Sequence, residues 1–158
     1  MTTRFSLNGI QTESNVDPSM PLIYFLRNEQ GLKATRFGCG GEDCGACTIL
    51  VDGALKYSCT LLVSDVAGKS VETVEGLHGN LAEILRKELA VGGATQCGYC
   101  LSGIFVTTYE LLRRVSNPTR EEAKAALSRS LCRCGAHASI LRAIARSIDA
   151  LASSGVSS

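Results

Sequence analysis

Tryptophan is absent from this chain, aromatics are 5% of its 158 residues, and proline occurs only three times. A core built on large aromatic side chains is therefore excluded, and packing must rest on aliphatic residues. No apolar stretch reaches the roughly 18 residues of a membrane-spanning helix. Charge of one sign is also missing: 16 Lys and Arg oppose 15 Asp and Glu, for a net charge of +1. Without a basic run there is no electrostatic footprint for nucleic acid. The opening Met1-Thr2-Thr3-Arg4-Phe5 has neither a signal-peptide pattern nor a twin arginine, so a cytoplasmic location is expected. Hydrophobic residues at 45% suffice for a core, but two small units sharing them would each have a thin one. A metal centre that ties distant segments together would strengthen both.

What is abundant is cysteine. The eight cysteines fall into two sets of four with none left over. The first is Cys39-x4-Cys44-x2-Cys47 followed by Cys59, and the second is Cys97-x2-Cys100 followed by Cys132-x-Cys134. A chain without a secretion pattern uses such cysteines for metal more readily than for disulfides, because reducing compartments keep thiols free. The first set has the plant-type ferredoxin spacing, and four thiolates are what a [2Fe–2S] cluster needs. A structural zinc site normally shows a C-x2-C hook in each half, and this set has one. Its loop is rich in glycine, which lets backbone N–H groups point inward at thiolate and sulfide. The second set is ambiguous by spacing alone. It is compatible with zinc or with a cluster, while a thioredoxin-like pair at Cys97 and Cys100 lacks the βαβ context.

The pattern around the cysteines divides the chain. Arg4 to Leu7 and Ile10 to Ser14 read as strands joined by the hairpin signal Asn8-Gly9. Pro18 and Pro21 open a short helix with Leu22, Phe25 and Leu26 on one face. Gly38 to Cys47 is a loop. Thr48 to Val51 and Leu55 to Cys59 form a second hairpin about Asp52-Gly53, and Val71 to Val74 is a last strand. Beyond it the spacing becomes helical. Helices are expected over Asn80–Leu89 and Ser102–Val115. A third runs from the capping box Thr119-x-x-Glu122 through Leu131, and a fourth covers Ser139–Leu151. Gly76 to Gly79 is the linker candidate, giving domains 1–76 and 77–158, and Ser153 to Ser158 should fray.

Both motifs in this order, with Gln96-Cys97-Gly98-Tyr99-Cys100 and Leu131-Cys132-Arg133-Cys134, resemble the small iron–sulfur subunit of molybdenum hydroxylases, the xanthine oxidase family. The resemblance runs from the Asn8-Gly9 hairpin to the final helix. It implies an α+β fold: an N-terminal plant-ferredoxin-like β-grasp domain and a C-terminal four-helix bundle, each holding one [2Fe–2S] cluster. It implies that Cys39, Cys44, Cys47 and Cys59 ligate the cluster distal to molybdenum, and Cys97, Cys100, Cys132 and Cys134 the proximal one. Gln96 and Cys134 would approach the pterin. The implied partners are a large molybdopterin-binding subunit, its pterin a cytosine dinucleotide in bacterial relatives, and either a medium FAD-binding subunit or a cytochrome as acceptor. Electrons from molybdenum would pass singly through the proximal and then the distal cluster, and this chain would supply no catalytic group. An independent two-cluster ferredoxin and a zinc-stabilised interaction module are the competing expectations.

Several positions depart from the family pattern. Glu42 stands where glycine is frequent, and Arg129-Ser130 where Gly-Asn is usual. After Cys134 the chain reads Gly135-Ala136-His137 in place of Thr-Gly-Tyr, which resembles the branch that oxidises N-heteroaromatic compounds, such as nicotinate and isoquinoline dehydrogenases. Glu42 and Asp43 read as exposed loop charges. His137 reads as a hydrogen-bonding residue at a helix start, His78 as solvated, and Tyr99 as a cover over the cluster. Arg133 stands between two ligands, positioned to offset cluster charge or to form a surface ion pair.

Overall fold

A computed structural model describes residues 2–153; the expected fraying of the last residues falls, beyond Ser153, outside them. A five-stranded mixed sheet forms from β1 (Thr3–Leu7), β2 (Ile10–Ser14), β3 (Thr48–Val51), β4 (Ala54–Tyr57) and β5 (Ser70–Glu72), in the order β2-β1-β5-β3-β4. The central pair β1–β5 is parallel and the other pairs are antiparallel. This is the β-grasp arrangement. Both hairpins turn on left-handed residues, Asn8 and Gly9 at φ 51° and 83°, and Asp52 and Gly53 at 50° and 77°. Two successive positive φ values define the turn that matches strand twist.

One sheet face is covered by α1 (Leu22–Tyr24), which starts after Pro21 and continues as a π-helical turn over Phe25–Glu29. The Phe25 ring meets Phe5 edge-on at 5.7 Å. Leu22, Leu26, Val63, Val66, Ile49 and Val51 complete this aliphatic core. Val63 and Val66 lie on a short 3-10 turn that has no periodic signal in the sequence.

The second half contains α2 (Asn80–Val91), α3 (Leu101–Arg114), α4 (Arg120–Ala126) and α5 (His137–Ser153). The Thr119 hydroxyl accepts from the Glu122 amide at 3.2 Å, and the Glu122 carboxylate accepts from the Thr119 amide at 2.7 Å. The capping box thus forms, but the helix it opens does not reach Leu131. It ends at Ala126, tightens into a 3-10 turn over Leu127–Arg129, and becomes extended at Ser130. The Leu131 N–H, which a longer helix would have bonded internally, instead donates to the Cys44 carbonyl at 3.0 Å.

All four residues of β3 are buried because the strand is covered on both faces. Ile49 and Val51 face the sheet core, while Leu50 joins Leu77, Leu85, Ile104, Leu111, Ile140 and Ile144 in the helical core. The Gly76–Gly79 segment is pinned at its start. Leu77 is 1% exposed, and a Cβ on Gly76 would collide with the Asn8 side chain. The tightest approach between sheet and helices is at Gly103 of α3, where a Cβ would run into the Gly45 carbonyl oxygen. Gly103→Ala is therefore expected to lower stability by about 2 kcal/mol, the usual cost of overpacking a tight contact. Thr119→Ala should cost about 1 kcal/mol through loss of the cap. Chemical denaturation of the two variants checks both values.

Candidate metal centres

The first cysteine set lies on the loop between α1 and β3 and on the turn after β4. Cys47 and Cys59 are buried, at 1% and 6% exposure, and Ile23 packs against them. Ser58 links them: its amide and hydroxyl donate to the Cys47 carbonyl at 3.2 and 2.8 Å, and its own carbonyl accepts from Ile23. Cys39 is exposed and Cys44 half-buried. Backbone N–H groups of Gly41 and Asp43 reach Cys39 Sγ at 3.4 and 3.2 Å, and that of Cys39 reaches Cys44 Sγ at 3.4 Å. The Gly41 N–H leads in pulling the Cys39 thiol down to about 7, with the Cys44 and Asp43 amides assisting. Burial pushes Cys47 up to about 12, and the neighbouring Cys59 and Cys44 sulfurs add to the rise.

The second set is assembled by helix packing. Cys100 is the N-cap of α3, and Cys132 and Cys134 lie in the turn before α5. Cys97 and Cys134 are exposed, and Cys100 and Cys132 are half-buried. The Tyr99 amide, with help from Cys134, lowers the Cys97 thiol pKa. Burial, reinforced by Cys132, pushes Cys100 up to about 12. At Cys132 burial opposes ionisation, but the Ala136 amide at 3.4 Å, Cys100 and further backbone N–H groups outweigh it, and its pKa falls.

Within each set the thiols act on one another. Cys39 interacts with Cys44, and Cys47 with Cys59 and Cys44. Cys97 interacts with Cys134, and Cys100 with Cys132 and Cys97. No three His, Cys, Asp or Glu side chains among the described residues converge as a single metal ion would require. Two sulfurs for each of two irons is the donor arrangement of a [2Fe–2S] cluster, and the N–H groups aimed at sulfur suit an anionic centre. The cradle is close: a Cβ on Gly38 would stand 2.6 Å from Cys44 Sγ.

Known proteins share this double architecture. A family described as "2Fe-2S iron-sulfur cluster binding domain" matches residues 5–69, and one described as "[2Fe-2S] binding domain" matches residues 73–145. A nicotinate dehydrogenase subunit from Pseudomonas putida is 38% identical over 149 residues, covering 94% of this chain and 95% of the relative. The chain belongs to the iron–sulfur subunits of molybdenum hydroxylases. The alpha subunit of isoquinoline 1-oxidoreductase from Brevundimonas diminuta is 38% identical over 143 residues, covering 90% and 94% of the two chains. The crystal structure of quinoline 2-oxidoreductase from Pseudomonas putida 86 superimposes with a TM-score of 0.89 at 36% identity, covering 98% of this chain and 97% of that one.

Gln96 is exposed and borders the small pocket lined by Cys97, Cys100, Cys132 and Cys134. Tyr99 is 48% exposed; its hydroxyl donates to the Phe37 carbonyl and its ring receives Arg36 at 5.9 Å, so it bridges the two cysteine loops. His137 begins α5 with its Nε2 3.0 Å from the Ser130 carbonyl oxygen, and His78 is exposed. Arg133 lines the cleft between the two sites with Cys39, Cys44, Cys97 and Cys100. Glu42 is not a free loop charge, because its carboxylate accepts from the Thr60 hydroxyl.

Ile23, Ser58 and Gly103 carried no functional signal, because their roles arise only when other segments fold against them. No helix among the described residues is long and apolar enough to cross a membrane. Tyr99→Phe should cost about 0.5 kcal/mol, the low end for one hydrogen bond. Hydrogen exchange is expected to quicken at the amides of residues 37–44, with little change in α2.

Proposed function

We propose that this chain relays electrons from a molybdopterin centre on a large partner subunit to a flavin on a medium subunit or to a cytochrome. Cys97 and Cys134 would hold one iron of the entry site, and Cys100 and Cys132 the other. Cys39 with Cys44, and Cys47 with Cys59, would do the same at the exit site. Bound clusters supply one-electron carriers; the chain supplies position, hydrogen bonds and burial. The observation that carries the reading is that Cys97, Cys100, Cys132 and Cys134, from two separate segments, line one small pocket, and that backbone N–H groups at both sets point at the sulfurs.

The exposed Cys97, Cys134 and Gln96 form the face offered to the large subunit. An amide both donates and accepts, which suits the edge of a pterin. Inward of that face, Cys132 is covalently next to Leu131, whose N–H donates to the Cys44 carbonyl at 3.0 Å. One hydrogen bond therefore separates the ligand-bearing backbones of the two sites. Buried Cys47 is a poor thiolate alone, so its ionisation waits on iron. Cluster insertion and folding of the first site should accordingly be linked.

The units 1–76 and 77–158 are inferred to be the two cluster-binding domains. The small-molecule substrate is inferred to be an N-heteroaromatic, supported by the named substrates of the relatives and by Gly135-Ala136-His137. A cytoplasmic location goes with thiolate-held iron.

In the intact complex, Cys97→Ser should prevent substrate from reducing either cluster. Cys39→Ser should leave the entry cluster reducible by substrate while removing the exit signal. EPR of substrate-reduced samples distinguishes these outcomes. Gly38→Ala should remove about half of the iron, because the two sites hold equal shares. A colourless zinc protein would overturn the proposal.

A further inference from the structure

Glu42 lies between Cys39 and Cys44 with φ 65°, a left-handed conformation that glycine adopts freely and glutamate does not. The side chain kept at this position is held firmly. Its carboxylate accepts from the hydroxyl of Thr60, the residue after Cys59. The backbone carbonyl of Glu42 accepts from Arg129 Nη2 at 2.8 Å, and the Arg129 guanidinium rests 5.0 Å over the Tyr57 ring. One residue thus joins the loop carrying three cysteines to the turn carrying the fourth. It also joins that loop to the 3-10 turn that leads into Cys132.

The charges around it are unequal. Glu42 takes part in none of the ion pairs found among the described residues. Lys56 and Asp65 line the same groove, and Asp65 is engaged with the Leu62 amide at 2.8 Å. Arg129 meets Glu42 at its carbonyl, leaving the carboxylate charge on the Thr60 side. At the second site the residues between Cys97 and Cys100 and between Cys132 and Cys134 are Gly98, Tyr99 and Arg133, with no acid.

We infer that Glu42 is a positioning residue that fixes a negative charge beside the first cluster and holds its reduction potential below the value its ligands and amides alone would give. This rests on the assignment of Cys39, Cys44, Cys47 and Cys59 as ligands. A fixed anion opposes addition of an electron, and a half-buried one is only partly screened. The Thr60 hydroxyl keeps the carboxylate in place, and Arg129 keeps the loop in place. The consequence is an exit cluster that remains able to reduce its acceptor.

Glu42→Gln keeps an oxygen for the Thr60 hydroxyl but removes the charge. In the intact complex, EPR-monitored redox titration should show the first cluster easier to reduce by about threefold in its one-electron equilibrium constant, about 30 mV at 59 mV per tenfold. The second cluster should not move. Glu42→Gly, which accepts the backbone conformation without strain, should shift the first cluster in the same direction and secures the test if the glutamine variant loads poorly. An unchanged first midpoint in both variants, or equal shifts of both clusters, overturns the inference. Failure of the underlying assignment looks different: the unaltered complex would then lack two titrating iron–sulfur signals.

Discussion

The Leu131 N–H to Cys44 C=O hydrogen bond is the constraint on which the rest of the arrangement depends. It needs a loop carbonyl of the sheet half and an amide of the helical half to meet at 3.0 Å. That meeting is possible because Gly45 and Gly103 remove the side chains that would hold the backbones apart. It also explains why α4 stops early. A helix carried through Leu131 would consume its N–H internally and turn Cys132 and Cys134 away from Cys97 and Cys100. The packing of α3 across β3 and the burial of Leu50 in the helical core serve the same seam.

Each metal centre is built as a gradient from solvent to core. Outer sulfurs at Cys39 and Cys97 receive backbone N–H groups and ionise more readily than a free thiol. Inner sulfurs at Cys47 and Cys100 are desolvated and resist ionisation. A buried thiolate is costly without a cation to offset it, and bound iron would meet that need. Electron transfer adds a charge to such a centre, so every nearby dipole and fixed charge bears on its potential. Glu42 and Arg129, two positions at odds with the family pattern, prove to be in contact.

Much of the fold was legible in the residues. Asn8-Gly9 and Asp52-Gly53 announced their hairpins because few other dipeptides accept two positive φ values. Thr119 and Glu122 announced a helix start because the capping box is local chemistry. The first cysteine set identified itself because three of its members share one loop. The end of α4, the 3-10 turn at Val63–Val66 and the burial of both faces of β3 were not legible, since each depends on a segment distant in sequence. Glu42 read as a solvated charge because Thr60 is far along the chain and no local pattern links them.

The sequence by itself determined the number of thiolates, their division into two sets and the class of centre at the first. Spacing within a loop constrains geometry directly, and one sequence motif suffices there. Tertiary structure alone decided which sulfurs are buried, which face solvent and how the two sites are joined. Those relations depend on helix packing and on the close backbone approach at Gly45 and Gly103, where the absence of a Cβ matters only once the opposing segment has arrived.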